Sequence, residues 1–557
     1  MTNKEIANAF ADLGAIMELH GENPFKIRSY SNAYLVLRKF ETPLSDLPRP
    51  ELEAIKGVGK NIADKIQELL QTGSLQTYQN YADKTPSGVV EMLRIKGLGI
   101  KKILAIWKDL EIETVGELLY ACNENRLIEL HGFGKKTQEE IRKNVELYLK
   151  TRGQIFWADA DDFAKEIETA WHFDAPFERV GELRRNLPLV GKIEFLTTLP
   201  QENTLDFLSK NGFSSVQKSE NWTEATREEQ EIALKIYHCE SENWGSKLFR
   251  YSSSADFLAD FLENTGGGDF RGIEAEKTIF EKANLPFITP ELRDFPKILN
   301  RLGDEKFQQR IENLIQASDI RGVVHAHTTY SDGINSLEEM AAASHAKGFS
   351  YLAISDHSKA AFYANGLKED RLQAQWAEID ALNLKYASKN FRILKGIESD
   401  ILNDGSLDYG EDILKNFDFI IASVHSNLKM DEAKATARVI KAVENPYTTI
   451  LGHPTGRLLR ARTGYPLDFE KVMDACAANG VSIELNANPY RLDLDWTLID
   501  AALNRGILIS INPDAHSREG IDDIKYGINV ARKGGLNPQN CLNARDLEGF
   551  LAFASKK

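Results

Sequence analysis

From residue 321 onward, short apolar or β-branched runs alternate with longer stretches of helical periodicity. The runs are Gly322–Val324, Tyr351–Ile354, Arg392–Gly396, Asp418–Ser423, Thr448–Leu451, Val481–Leu485 and Ile507–Ile511. Strands that are apolar on both faces and linked by helices belong to parallel sheets with helical crossovers. Seven such units predict a parallel βα barrel with its chemistry at the C-terminal strand ends.

Upstream the pattern changes. Residues 1–150 are helical and carry a repeat: Ile55-Lys-Gly-Val-Gly-Lys60, Ile95-Lys-Gly-Leu-Gly-Ile100 and Leu130-His-Gly-Phe-Gly-Lys135. Each copy precedes a helical pattern, at Ile62–Leu70, Lys102–Asp109 and Thr137–Leu149. A Gly-apolar-Gly turn at a helix N-terminus faces backbone N–H groups outward, a geometry that binds a nucleic-acid phosphate without reading bases. Gly57, Gly59 and Lys60, then Gly97, Gly99 and Lys101, then Gly132, Gly134 and Lys135 are therefore candidate DNA-backbone contacts, with Lys136 beside them. One copy is also what an ordinary helix joint looks like. Three copies with lysines favour phosphate. They resemble helix-hairpin-helix motifs.

Residues 151–255 read as α/β, with a helix near Asp161–Trp171 and strands near Lys192–Thr197 and Ile232–His238. Residues 256–320 read as mostly helical, with a loop at Leu285–Arg293 and a helix at Glu305–Ala317. The 557 residues, 42% hydrophobic and 27% charged, suit several globular domains, and no apolar run reaches membrane-spanning length. The start of the chain lacks signal-peptide order, and the four cysteines show no metal or redox spacing. A cytoplasmic, nucleoid-associated monomer is the expectation. Net charge is −15, but residues 1–152 hold 22 Lys+Arg against 21 Asp+Glu, so the acidity lies downstream and does not argue against nucleic acid.

The strand ends carry the chemistry. The run Gly322–Val324 delivers His325 and His327 in alternation, which predicts that both imidazoles leave the same side of the chain. Asp332 follows; later ends supply Asp356-His357, Gly396-Ile-Glu398, Ser423-Val-His425, Gly452-His453-Pro454, Asn486-Ala-Asn488 and Asp514-Ala-His516. Of 11 histidines, seven lie beyond residue 320, and all but His345 sit in these motifs. Imidazole and carboxylate without thiolate suit manganese, zinc or iron, and a bridging carboxylate can hold two ions close together. A histidine after a strand is usually incidental. Nine such donors around one barrel are not.

These motifs resemble the polymerase-and-histidinol-phosphatase (PHP) domain, and none of the nine positions departs from its ligand types. The resemblance implies a trinuclear metal phosphoesterase. His325, His327, Glu398 and Asp514 would hold one ion; Glu398 would bridge to a second on His425 and His453; Asp332, His357 and His516 would hold the third. Two or three divalent ions, manganese or zinc with iron as a further option, would activate water for attack on phosphorus. Asp332 and His357 are assigned to catalysis, Arg457 is a candidate phosphate clamp, and Asp356 and Asn488 are candidate supports for the ligands.

The order of hairpins, α/β region and PHP barrel resembles the bacterial family-X DNA polymerases over the whole chain. Leu130–Thr137, Leu285–Arg293 and Arg179-Val-Gly-Glu-Leu-Arg-Arg185 add to it, the last with Glu182 where the family's triphosphate turn has Ser. The implied fold is multidomain: an N-terminal all-α helix-hairpin-helix region (1–85 and a fingers-like 86–152), a nucleotidyltransferase-like palm (153–255), a thumb-like region (256–315), and a C-terminal (β/α)7 distorted TIM-like PHP barrel (316–557). The family's polymerase site needs three Asp. Here Lys192, Glu194 and Ala233 stand at those positions, and Tyr251-Ser-Ser-Ser254 replaces a Gly-containing thumb turn. Lys192 would repel magnesium, so the polymerase fold is expected to have lost nucleotidyl transfer. Lys65 matches by position the lyase lysine of some members, although a solvated surface lysine is the plainer reading. The resulting expectation is a DNA-binding, metal-dependent 3'-5' exonuclease or 3'-end processing enzyme of repair, acting on gapped, nicked or single-stranded 3' ends through backbone contacts. Alternatives are an active, proofreading family-X polymerase and a small-molecule PHP phosphatase.

Overall fold

The three glycine turns close alike because their sequences leave one conformation. Gly57, Gly97 and Gly132 take φ of +95°, +79° and +85°, a region that side chains disfavour. Val58, Leu98 and Phe133 then plunge into the core, and Gly59, Gly99 and Gly134 become extended N-cap residues. The helices that follow, Lys60–Thr72, Ile100–Leu110 and Lys135–Thr151, have no side-chain cap, so their first N–H groups face outward. The computed structural model describes residues 1–40, 42–123, 126–130, 132–227, 232–268, 270–428, 430–461 and 463–555. His131, in the third turn, lies outside them.

The chain divides into two units, Met1–Arg152 and Gly153–Lys557. The first is helical around two apolar cores: Ile6, Phe10, Leu13 and Ile66 in one, Met92, Ile103, Leu118 and Val145 in the other. The second begins with helix Trp157–Ala170, whose Phe163 and Ile167 pack on Ile193, Phe195 and Leu234 of a five-stranded sheet. Strands Lys192–Thr197 and Ala233–His238 run parallel at its centre. A hairpin, Ser214–Ser219 with Trp222–Thr226, extends this sheet. It escaped the sequence reading because its exposed Ser, Gln and Lys positions show little apolar alternation.

Phe249, Phe261 and Phe280 centre the next core, which includes residues 257–314. The helix expected to reach Ala317 spans Glu305–Glu312 only. Beyond it, the Ile315 N–H donates to Leu536 O at 3.0 Å, so a tertiary pairing replaces the next helical bond.

The barrel strands are β1 (Gly322–Ala326), β2 (Tyr351–Ile354), β3 (Arg392–Asp400), β4 (Phe419–Ser423), β5 (Ile450–Leu451), β6 (Ser482–Asn486) and β7 (Ile509–Asn512). They pair in sequence order, all parallel. The Ala515 N–H donates to His325 O at 3.2 Å and the His327 N–H to Ala515 O at 2.8 Å, joining the segment after β7 to β1. The N-terminal end is filled by Phe550 of helix Leu547–Ala554, packed with Val324, Tyr351 and Phe419. The other end is left for chemistry. Lys533, fully buried, fastens the barrel to the preceding region: its amine donates to Asp294 Oδ2 at 2.5 Å and to Arg185 O at 3.0 Å. No helix among the described residues is long and apolar enough to cross a membrane, and the four cysteines are free thiols.

Candidate metal centre

Simple strand alternation does not place His325 and His327. The register of β1 shifts between Val324 and Ala326, and His325 sits at φ +68° in the left-handed region. The bulge turns both rings into one cluster, with centroids 5.2 Å apart. His453 (φ +24°) and Asp514 (φ +52°) are also in positive-φ backbone. Non-glycine residues held this way mark sites where the surrounding structure over-determines the backbone.

Glu398 is the hub. It lies within β3 rather than past its end and is 1% exposed. Its Oε1 is 3.1 Å from His425 Nε2, 3.0 Å from His453 Nε2 and 3.4 Å from His325 Nε2. Its Oε2 is 3.0 Å from His357 Nδ1 and 3.7 Å from His327 Nε2. Asp514 Oδ1 lies 3.1 Å from His327 Nε2 and 3.4 Å from His325 Nε2. Asp332 completes the outer edge, with Oδ2 3.4 Å from His516 Nε2 and Oδ1 3.7 Å from His357 Nε2.

All nine side chains thus meet at one barrel mouth. Eight of the nine fall into three groups with metal-site spacing, namely His325, His327 and Asp514; His357, Glu398 and His425; and His327, Asp332, His357 and His516, while His453 stands outside these groups with its Nε2 3.0 Å from Glu398. The partition differs from the expected one: His327 and His357 each enter two groups, Glu398 falls with His357 and His425, and His453 enters none. Divalent ions fit this set. His325 Nε2 is buried without a hydrogen bond, 3.4 Å from both Glu398 and Asp514. That is the edge length of a polyhedron with metal–ligand bonds of about 2.1 Å.

The electrostatics agree. Burial would raise the Glu398 and Asp514 carboxyls, but the surrounding histidines hold both well below the usual range, so they are ionised. Burial and the neighbouring His516 and His357 push His327 down to about 3, leaving a neutral imidazole. Burial opposes protonation of His425 too, but Glu398 and Asp400 lift it to about 10; Asp332 and Asp514 similarly lift His516 to about 9.

A supporting layer was missed in the sequence. Glu484, in the middle of β6, accepts from His325 Nδ1 at 2.6 Å, from Asn512 at 2.7 Å and from the His453 N–H at 3.1 Å. Asp400 accepts from His425 Nδ1 at 2.5 Å, and Asn486 donates to Asp514 at 3.0 Å. An acid inside the apolar run Ser482-Ile-Glu484-Leu485 was the available signal. Asp356 does support the site: it accepts from Thr328, Ser331 and Gln375 and pins the loop that carries Asp332.

Two further candidates make other contacts. Asn488 accepts from the Tyr490 N–H at 3.0 Å, a local turn rather than a ligand contact. The Arg457 guanidinium, expected as a phosphate clamp, meets Asp495, Leu492 O and, at 3.0 Å, Arg491 O. Arg491 is the arginine beside the site, 3.5 Å from Asp514.

Family models match the chain in three places: a helix-hairpin-helix domain over residues 1–75, a SAM-like helix-hairpin-helix tandem over 89–144 and a PHP domain over 324–488. Among curated proteins, the DNA polymerase/3'-5' exonuclease PolX of Bacillus subtilis is 33% identical over 578 aligned residues, covering 100% of both chains. The chain belongs to the PolX family. A probable phosphatase of Thermoanaerobacter sp. is 28% identical over 230 residues, 39% of this chain and 88% of that protein. One from Acetivibrio thermocellus is 32% identical over 171 residues, 30% of this chain and 65% of that one.

In this PolX-family chain Lys192, Glu194 and Ala233 lie on two paired strands. Lys192 and Ala233 are register partners, as are Glu194 and Lys235. Lys192 pairs with Glu224 at 2.9 Å. Glu194 is raised by burial and accepts from the Tyr237 hydroxyl at 2.8 Å, with Tyr237 stacked on Tyr251 at 3.8 Å. Glu182 accepts from the Gly191 N–H at 2.6 Å, while Arg184 pairs with Glu276 and Arg185 with Asp294. Lys65 is not a solvated surface lysine: largely buried, it donates to Thr77 Oγ1 at 2.8 Å.

Proposed function

We propose that this chain is a DNA-binding, metal-dependent phosphodiesterase that removes nucleotides from 3' ends, with a palm that has lost nucleotidyl transfer. The observation that carries the reading is the Glu398-centred cluster of nine donors in a chain that also presents three uncapped glycine hairpins. His325, His327, Glu398 and Asp514 would hold one divalent ion, Glu398 with His425 and His453 would hold a second, and Asp332, His357 and His516 would hold a third. Manganese or zinc suits these donors, and iron is compatible with them. Bound ions supply an activated water and neutralise phosphate charge. Glu484 and Asp400 fix the His325 and His425 rings by accepting at Nδ1, leaving Nε2 for the ion.

The hairpin glycines and Lys60, Lys101 and Lys135 grip the DNA backbone without reading bases, which suits gapped, nicked or single-stranded ends in repair. The family relationship supports DNA as substrate over a small phosphate ester, and a monomer at the nucleoid in the cytoplasm is the working assignment. Domain limits of 1–85, 86–152, 153–255, 256–315 and 316–557 go with this reading. In the palm, Lys192 stands where a carboxylate would hold magnesium, and both turn arginines are already paired.

The test is a 5'-labelled primer on a longer template with manganese, magnesium and all four deoxynucleoside triphosphates. A shortening ladder that His325→Ala and Asp514→Ala abolish is expected. A lengthening ladder would mean that the polymerase is alive. Hydrolysis of nucleoside monophosphates far faster than cleavage of DNA would favour the phosphatase.

A further inference from the structure

The barrel exposes few large apolar side chains, and they are not scattered. Among the described residues from β1 onward, the exposed ones are Ile334 (68%), Phe362 (86%), Leu384 (82%) and Tyr490 (44%). Leu384 lies on helix Glu369–Tyr386. The other three lie on loops that leave the C-terminal ends of β1, β2 and β6, around the metal mouth.

Ile334 and Phe362 are tied to that mouth by backbone. The Ile334 N–H donates to His516 O at 2.8 Å. The loop bearing Phe362 starts and finishes at His357, whose carbonyl accepts the Leu367 N–H at 2.9 Å. Gly366 N–H closes it on Ala361 O at 3.0 Å. The Asn365 amide reaches Ser331 O at 3.3 Å, seating this loop on the one that carries Asp332. Two apolar side chains are therefore held in solvent at the Asp332–His357–His516 edge of the cluster.

We infer that Phe362, on a loop seated against the one that carries Ile334, is a stacking platform for the unpaired base of the nucleotide being removed. This rests on the nuclease reading of the barrel. The mouth below is charged and accounts for a phosphate, whereas an exposed ring offers a phosphate nothing. A nucleobase presents a π-face to any aromatic side chain, without regard to sequence. A paired 3'-terminal base is held by its partner and by the stack on its one neighbour, so the platform selects a frayed or single-stranded 3' terminus, whose base is free to turn onto the ring.

The experiment compares 5'-labelled single strands ending in a natural nucleotide or in an abasic tetrahydrofuran nucleotide. It uses the full-length wild type and the Phe362→Ala, Phe362→Tyr and Ile334→Ala variants. The wild type is expected to prefer the base-bearing end in kcat/KM by about tenfold. Phe362→Ala brings that ratio towards one, Ile334→Ala lowers it less, and Phe362→Tyr retains it. A ratio unchanged in both alanine variants, or no preference in the wild type, overturns the platform alone. A wild type that shortens neither strand overturns the nuclease reading with it.

Discussion

His325 Nδ1 lies 2.6 Å from Glu484 Oε2, and both side chains are fully buried. The carboxylate keeps a proton on Nδ1 and turns Nε2 towards Glu398 and Asp514. Such carboxylate–histidine pairs orient metal ligands and make them more basic.

Replacing Glu484 by Gln keeps the shape and removes the charge. Metal affinity is expected to fall by about 10- to 100-fold, with the fold retained. Titration of metal-stripped protein by calorimetry reads this directly. Unchanged affinity would reduce Glu484 to a packing residue.

His425 and His516 carry protons at neutral pH without ions, since their neighbouring carboxylates lift them to about 10 and about 9. A bound ion needs the bare nitrogen, so binding releases these protons and the apparent affinity rises with pH up to about 10, more steeply below about 9 where both rings are protonated. The slope should approach about tenfold per pH unit for each proton displaced. Calorimetry in two buffers of different ionisation enthalpy counts the protons; none released would refute the assignment of these rings as ligands.

Lys60, Lys101 and Lys135 open the second helices of the hairpins or lie one residue in, beside uncapped N–H groups. Replacing all three by Ala should weaken DNA binding alike for all sequences. The log–log salt slope should drop by about 0.9 for each lost duplex phosphate contact. Fluorescence anisotropy across salt concentrations measures it, and an unaltered slope would place the DNA elsewhere.

Arg457 should behave as a structural residue. Its guanidinium holds the 491–495 loop through Asp495 and two carbonyls, so Arg457→Ala should lower stability by roughly 1–3 kcal/mol. With saturating metal, kcat should change less than twofold to threefold, roughly the residual of an indirect effect. A large kcat loss in a variant with unchanged Tm would restore the phosphate clamp.

The sequence by itself determined the barrel strands, the glycine turns and the nine donors. Strands buried on both faces must be apolar, so seven barrel strands showed as apolar runs, with Tyr351–Ile354 placed to the residue. Gly57, Gly97 and Gly132 announced turns because the left-handed backbone they adopt excludes most other residues. The nine site donors were visible because polar residues at the ends of apolar strands stand out. Only the tertiary structure decided which partners those side chains meet. Glu484 and His325 are 159 positions apart and become neighbours when β6 and β1 enter one barrel. Arg457 was read as a candidate phosphate clamp because local sequence does not show the Asp495 and Leu492 that engage it. Periodicity records burial along one element, whereas contacts between elements depend on how the chain returns, and no local pattern encodes that path.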